Sequence, residues 1–159
     1  MITDDLAIFI NEKLNQLNDL IIDVSILELD HFGYQTSSKQ DYEDKTTEVS
    51  SIAQRISENI VGGRRVGIYK LNQPYKHEQF TISGFELVEP KDGQITDSRL
   101  DHLEFVLPES FETFIAKNPL VNWDTTAMNR PEFAKLTVKF DDGSSVKFHL
   151  KNIFEEIPR

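Results

Sequence analysis

The chain has 159 residues, no cysteine, and 27 Asp and Glu against 17 Lys and Arg, a net charge of −10. The missing cysteine excludes disulfides, thiolate metal sites and cysteine nucleophiles. The negative balance disfavours sequence-independent nucleic-acid binding and suits a cationic ligand or a metal ion. No apolar run approaches the ~20 residues that cross a bilayer. The start, Met-Ile-Thr-Asp-Asp, lacks the basic region and apolar core of a signal peptide. The expected setting is therefore the cytoplasm, with neither membrane nor nucleic acid as a partner, and the expected state a monomer or homodimer.

Residues 4–22 read as an amphipathic helix. Leu6, Phe9, Ile10, Leu14, Leu17, Leu20 and Ile21 recur three or four apart, so they share one face. Thr3 is placed to cap it, and Asp4 and Asp5 suit its positive start. Residues 28–36 alternate as a strand. Residues 40–60 read as a second helix, with Val49, Ile52, Ala53, Ile56 and Ile60 on one face and Gly62-Gly63 as its stop. Strands are then expected at 65–71, 78–83 and 85–89, around Pro74 and Gly84. The second half opens with a strand at 100–107. A short helix from Pro108, a short edge strand at 120–123 and a loop at 125–132 follow. Residues 134–140 and 145–151 read as a hairpin across Asp141-Asp142-Gly143, and 152–157 as a last helical turn.

Both halves thus read as βαβββ. The expected fold is α+β: an N-terminal helix (1–27) and two βαβββ modules (28–93 and 94–159), with curved mixed sheets around a shared cleft.

An echo in the sequence carries the functional reading. Leu29-Asp30-His31 and Leu100-Asp101-His102 open the first strand of each half. Near the end of each half comes an aromatic residue, a potential ligand and a leucine: Phe85-Glu86-Leu87 and Phe148-His149-Leu150. If the halves are equivalent, His31, Glu86, His102 and His149 converge. Three imidazoles and a carboxylate suit a divalent transition metal: zinc, nickel, iron, cobalt or manganese. Lys147, two residues from His149 on the same strand face, would repel that ion.

These pieces resemble the vicinal oxygen chelate superfamily, which pairs βαβββ modules around a metal. Within it they are most similar to the YecM-like family. The resemblance rests on Asp30-His31, Gly63-Arg64 with Ile68-Tyr69-Lys70-Leu71, His77-Glu78-Gln79-Phe80, Asp101-His102-Leu103-Glu104-Phe105-Val106-Leu107-Pro108, and Val146-Lys147-Phe148-His149 with Ile153-Phe154-Glu155-Glu156-Ile157. It implies a fold and a metal site; it supplies no reaction. In many superfamily enzymes the fourth ligand is a glutamate, where this reading has His149.

Glu104 shares a strand face with His102 and reads as a general base beside the ion. Arg64 or Arg65 would hold a substrate carboxylate, and His77 reads as a cleft-rim group. The leading expectation is a metal-dependent enzyme of isomerase, lyase or dioxygenase type acting on a small oxygen-chelating substrate. The alternatives are a non-catalytic protein that sequesters a cationic ligand in the same cleft, and an interaction module using the N-terminal helix.

Overall fold

In the computed structural model, which describes residues 1–157, the first helix is α1 (Leu6–Asp19). It is shorter than the periodicity predicts. Leu20 and Ile21 lie beyond its end, and Ile21 is exposed. Thr3 does not cap it with its side chain; the N-cap residue is Asp5, also without a side-chain hydrogen bond. Leu6, Ile10 and Leu17 are buried as expected, and so is Lys13. The Lys13 ammonium reaches Asp142 at 3.1 Å, Gln16 at 2.6 Å and the Ser144 hydroxyl, which satisfies a charge that burial alone would forbid.

The strand β1 (Glu28–Gln35) is followed by α2 (Lys39–Val49), capped by the Ser38 side chain on the Asp41 N–H. The helix expected over 40–60 is corrected at its second half. Residues from 53 form β2 (Ala53–Val61), which pairs antiparallel with β3 (Arg64–His77). Gly62 and Gly63 both take positive φ, +62° and +83°, so they close a two-residue hairpin rather than end a helix. The spacing of Ile52, Ile56 and Ile60 mimicked a helix face, yet Ile56 and Ile60 are exposed.

Three further strands were expected at other bounds. β3 runs through Pro74, where a register shift between Lys70 and Tyr75 interrupts the ladder. The N–H that proline lacks is thus not missed. β4 (Phe80–Val88) runs unbroken through Gly84. A Cβ there would sit 2.5 Å from the Phe154 ring, so this glycine marks a close approach and not a break.

The second half comprises β5 (Arg99–Val106), α3 (Phe111–Lys117), β6 (Leu136–Lys139), β7 (Ser145–His149) and α4 (Ile153–Glu156). The edge strand expected at 120–123 is replaced by a single bridge, Asp124 to Thr137. The fold is therefore α+β with an N-terminal helix and one seven-stranded mixed sheet, where separate sheets were expected. Its order is β2-β3-β4-β1-β5-β7-β6. β1 and β5 pair antiparallel at the centre, and each has the last strand of its own half, β4 or β7, as its parallel neighbour.

Strand alternation divides the sheet chemically. One face carries Phe32, Phe85, Leu103, Phe105 and Phe148, all fully buried. Phe32 stacks on Phe85, and Phe105 on Phe148. α1 packs on β5 and α2 on β4. The opposite face carries the ionisable residues. Phe148 also meets Phe114 and Trp123, so Phe148→Ala is expected to cost about 3–5 kcal/mol. Urea denaturation should show a lower midpoint with an unchanged slope.

Candidate metal centre

The register of the central strands assembles the site. On β1 and β5, His31 lies opposite Glu104 and Gly33 opposite His102. On the other side of β1, Gly33 lies opposite Glu86 of β4. Four ionisable side chains from three adjacent strands therefore leave the same face around one point. Gly33 makes room for this. A Cβ on it would lie 2.0 Å from Cε1 of His102, so the imidazole lies across the bare backbone of β1.

His31, Glu86, His102 and Glu104 are all buried, and each offers one ligand atom within 4.8 Å of the others. His31 Nε2 is 3.4 Å from Glu86 Oε1 and 3.5 Å from Glu104 Oε1. His102 Nε2 is 3.5 Å from Glu86 Oε2 and 3.8 Å from Glu104 Oε1. Two ligands each about 2.1 Å from a tetrahedral ion stand about 3.4 Å apart. The cluster therefore has the spacing of a coordination shell. His31 Nε2, His102 Nε2 and Glu104 Oε1 are buried and without hydrogen-bond partners among the described residues. Buried polar atoms rarely go unpaired, and a cation between them would satisfy all three. The residues present fit a divalent metal.

The surrounding shell orients these ligands. His102 Nδ1 bonds Asp101 Oδ2 at 3.0 Å, and His31 Nδ1 lies 3.2 Å from Asp30 Oδ2. The Asp101 hydrogen bond favours for His102 the tautomer that leaves Nε2 free for a metal, whereas His31 Nδ1 only lies near Asp30 without a hydrogen bond. Asp30 is the extra residue of a bulge between Leu29 and His31. Its Oδ1 bonds His149 Nε2 at 2.9 Å, and its Oδ2 accepts from the Ile153 N–H at 2.8 Å.

Burial works against ionising Glu86, but His102, His31 and Lys135 outweigh it and hold the carboxyl well below its usual range. Burial likewise opposes Glu104, and Lys135, His31 and His149 overcome it. Burial disfavours a charged His31, yet Asp30 and Glu104 hold its pKa well above the usual value. His149 is pushed up to about 11, with burial again outweighed by Glu104 and Asp30. Without a metal, protons on these imidazoles balance the carboxylates.

The sequence placed His31, Glu86 and His102 together, and they do meet. The structure groups the fourth candidate differently: Glu104 stands with these three, whereas His149 forms a second possible ligand group with Asp30 and His31. Glu104, read as a base, offers the fourth atom of the first group. His149 stands behind it, with Nδ1 3.0 Å from Glu104 Oε2. The register gives the reason. His31 and His102 are equivalent about the β1–β5 pair, so Gly33 matches Glu104. Glu86, opposite Gly33, then matches Lys147, opposite Glu104. Aligning Phe85-Glu86-Leu87 with Phe148-His149-Leu150 was out of step by two residues.

Arg64 lines a cavity of about 390 Å³ in front of Glu86 and His102. Arg65 does not line it. Its Nε donates to Glu89 at 2.9 Å, it also bonds Glu43, and it lies over the Tyr42 ring. His77 is also away from the cavity; Nε2 meets Asn11 Oδ1 of α1 at 2.8 Å. Asp30, Gly33 and Lys135 were missed. A glycine inside a strand pattern was a legible sign of close approach at Gly33. Nothing in the sequence singled out Lys135.

The fold is like that of vicinal oxygen chelate proteins. A Streptomyces coelicolor methylmalonyl-CoA epimerase solved with 2-nitronate-propionyl-CoA superposes with a TM-score of 0.56 at 12% identity, covering 79% of this chain and 99% of that one. A solved structural-genomics structure, Protein EC4020, superposes with a TM-score of 0.77 at 24% identity over 97% of this chain and 88% of that one. The chain belongs to the YecM protein family, which matches residues 1–157. An uncharacterised Haemophilus influenzae protein is 27% identical over 139 residues, 87% of this chain and 70% of that protein. Protein YecM of Escherichia coli is 26% identical over 116 residues, 73% of this chain; the match spans 62% of that relative's length.

Two outcomes follow from this geometry. Gly33→Ala should push His102 out of the cluster and lower its affinity for a divalent metal at least tenfold by competition with a chelating dye, if the cluster is a metal site, while far-ultraviolet circular dichroism stays unchanged. In metal-free protein, the depressed Glu86 and Glu104 contribute stability above their ordinary value of 4.5, lost as pH falls through their folded pKa values. His31 and His149 contribute stability fully present below 6.5 and lost as pH rises, for His149 toward about 11. Melting temperature should therefore decline on both sides of the window between about 4.5 and 6.5. His149→Gln should flatten the alkaline side in thermal melts across pH.

Proposed function

We propose that His31, Glu86, His102 and Glu104 hold one divalent transition metal, and that the protein is an enzyme acting on a small oxygen-chelating molecule. The observation that carries this is the buried cluster of four ligand atoms within 4.8 Å of one another, three of them without hydrogen-bond partners among the described residues. Two carboxylates and two neutral imidazoles balance a divalent ion, whereas the set with His149 would have left a net positive charge.

When bound, such an ion would supply Lewis acidity toward adjacent oxygens of a ligand. The chain supplies the rest. Asp30 and Asp101 fix the imidazoles, and His149 holds the far oxygen of Glu104. Glu86 and His102 line the cavity, and Glu104 does not. Glu86 is therefore the carboxylate that meets a bound molecule, and Glu104 serves as a ligand instead of the base first assigned. Isomerase, lyase and dioxygenase chemistry all suit such a centre. The fold shared with an epimerase is a reason to test proton abstraction beside a carbonyl first.

Elemental analysis of protein purified without chelator or added metal is expected to find about one equivalent of zinc, nickel, iron, cobalt or manganese. His31→Ala, Glu86→Ala and His102→Ala should each lower that content at least tenfold, and His77→Ala should not. Unchanged content in His31→Ala and His102→Ala would sink the assignment.

A further inference from the structure

The acidic composition suggested a cationic ligand, but the cavity in front of the cluster has the opposite lining. Of its carboxylates, Asp124 accepts from Lys139 at 2.9 Å and Asp101 is engaged by His102 at 3.0 Å. Arg64, Arg130, Lys135 and Lys147 also line it. Lys135 lies 3.8 Å from Glu104 Oε1. Among the described residues, no carboxylate oxygen lies within 4.0 Å of the charged nitrogens of Arg64, Arg130 or Lys147. Arg64 Nε is buried and has no hydrogen-bond partner among the described residues. Both halves contribute: Arg64 opens β3, Arg130 and Lys135 precede β6, and Lys147 stands on β7 beside Glu104.

Arg64 and Lys147 are half-buried, and such cations are costly when no ion-pair partner meets them. Lys135 has Glu104 beside it, but in a chain with 27 acidic residues no carboxylate among the described residues forms an ion pair with Arg64, Arg130 or Lys147. The lining is amphipathic, since Val66, Ile68 and Val88 share it. At about 390 Å³ the cavity sits at the small end of ligand sites, which run about 300–1,000 Å³.

We propose that the cavity binds a small organic acid, with one carboxylate held by Lys147, Arg64 and Arg130 and its other end directed at Glu86 and His102. The arginines supply forked donors and Lys147 a point charge for that carboxylate. The apolar wall covers the carbon chain between the two ends. This assignment of substrate class rests on the metal reading for what happens at the second end, but the anion site itself is built from residues outside the cluster.

Isothermal titration of the full chain tests it with glutarate as the probe. The comparison ligands are its uncharged dimethyl ester, inorganic phosphate and benzyltrimethylammonium. Glutarate is expected to bind more tightly than all three. Lys147→Met and Arg64→Gln should each weaken glutarate at least tenfold, and Lys147→Arg should restore most of the loss. Metal content of Lys147→Met, measured on the same samples, should equal that of the unaltered chain. Equal or tighter binding of the ester or the ammonium compound would overturn the proposal, as would undiminished glutarate affinity in both variants. Tighter phosphate binding would overturn the carboxylate assignment. Glutarate binding by protein that holds no metal would uphold this inference and remove the metal reading. A metal-loaded protein that ignores glutarate would do the reverse.

Discussion

Two glutamates buried side by side on a sheet face are the constraint around which this molecule is arranged. Glu86 and Glu104 are 8% and 2% exposed. Taking a carboxylate out of water costs several kcal/mol even after relaxation, so each must meet positive charge. His31, His149 and Lys135 converge on them for that reason, His102 also faces them, and Asp30 and Asp101 lie behind the three imidazoles. The arrangement is ionised and pre-aimed. A divalent ion would replace the protons that balance it otherwise.

The antiparallel pairing of β1 with β5 sets the geometry. It places two histidines diagonally and lets Gly33 stand where its counterpart in the other half is Glu104. The same register puts Lys147 where a strict repeat of Glu86 would stand. The first half thus carries its carboxylate on its last strand, as Glu86, and the second on its first, as Glu104. The outline of the site repeats across the β1–β5 pair while its chemistry is asymmetric. The lysine left on β7 faces the cavity, where it becomes part of a cationic wall instead of a ligand shell. Lys147 looked from the sequence like an argument against a metal. In three dimensions it neighbours Glu104 and points the reading toward an anionic ligand.

Where the sequence misled, local periodicity had competing explanations. Ile52, Ile56 and Ile60 recur at a helical interval, but Ile52 precedes an edge strand that carries Ile56 and Ile60 and whose hairpin turn at Gly62-Gly63 could also pass for a helix stop. Gly84 and Pro74 looked like breaks. One is a close approach to Phe154 and the other sits at an irregularity in the ladder. The hairpin at Gly143 and the final turn at Ile153–Glu156 were legible because their signals are local: a glycine with φ of +85° and an asparagine cap.

The grouping of His31 and His102 with Glu86 rested on the echo between the two halves, whereas local pattern alone determined the α+β class, the opening helix and the strands bearing His31 and His102. Each depends on residues a few positions apart, whose side-chain direction follows from strand alternation or helix pitch. Only the tertiary structure brought Glu104 beside His31, Glu86 and His102, placed Asp30, Gly33 and Lys135 around them, and set Arg65 and His77 apart. Those depend on strand register and on a one-residue bulge. A shift of one residue turns every side chain of a strand to the other face, and a shift of two changes which neighbour it meets. Neither is fixed by the composition of the strand itself.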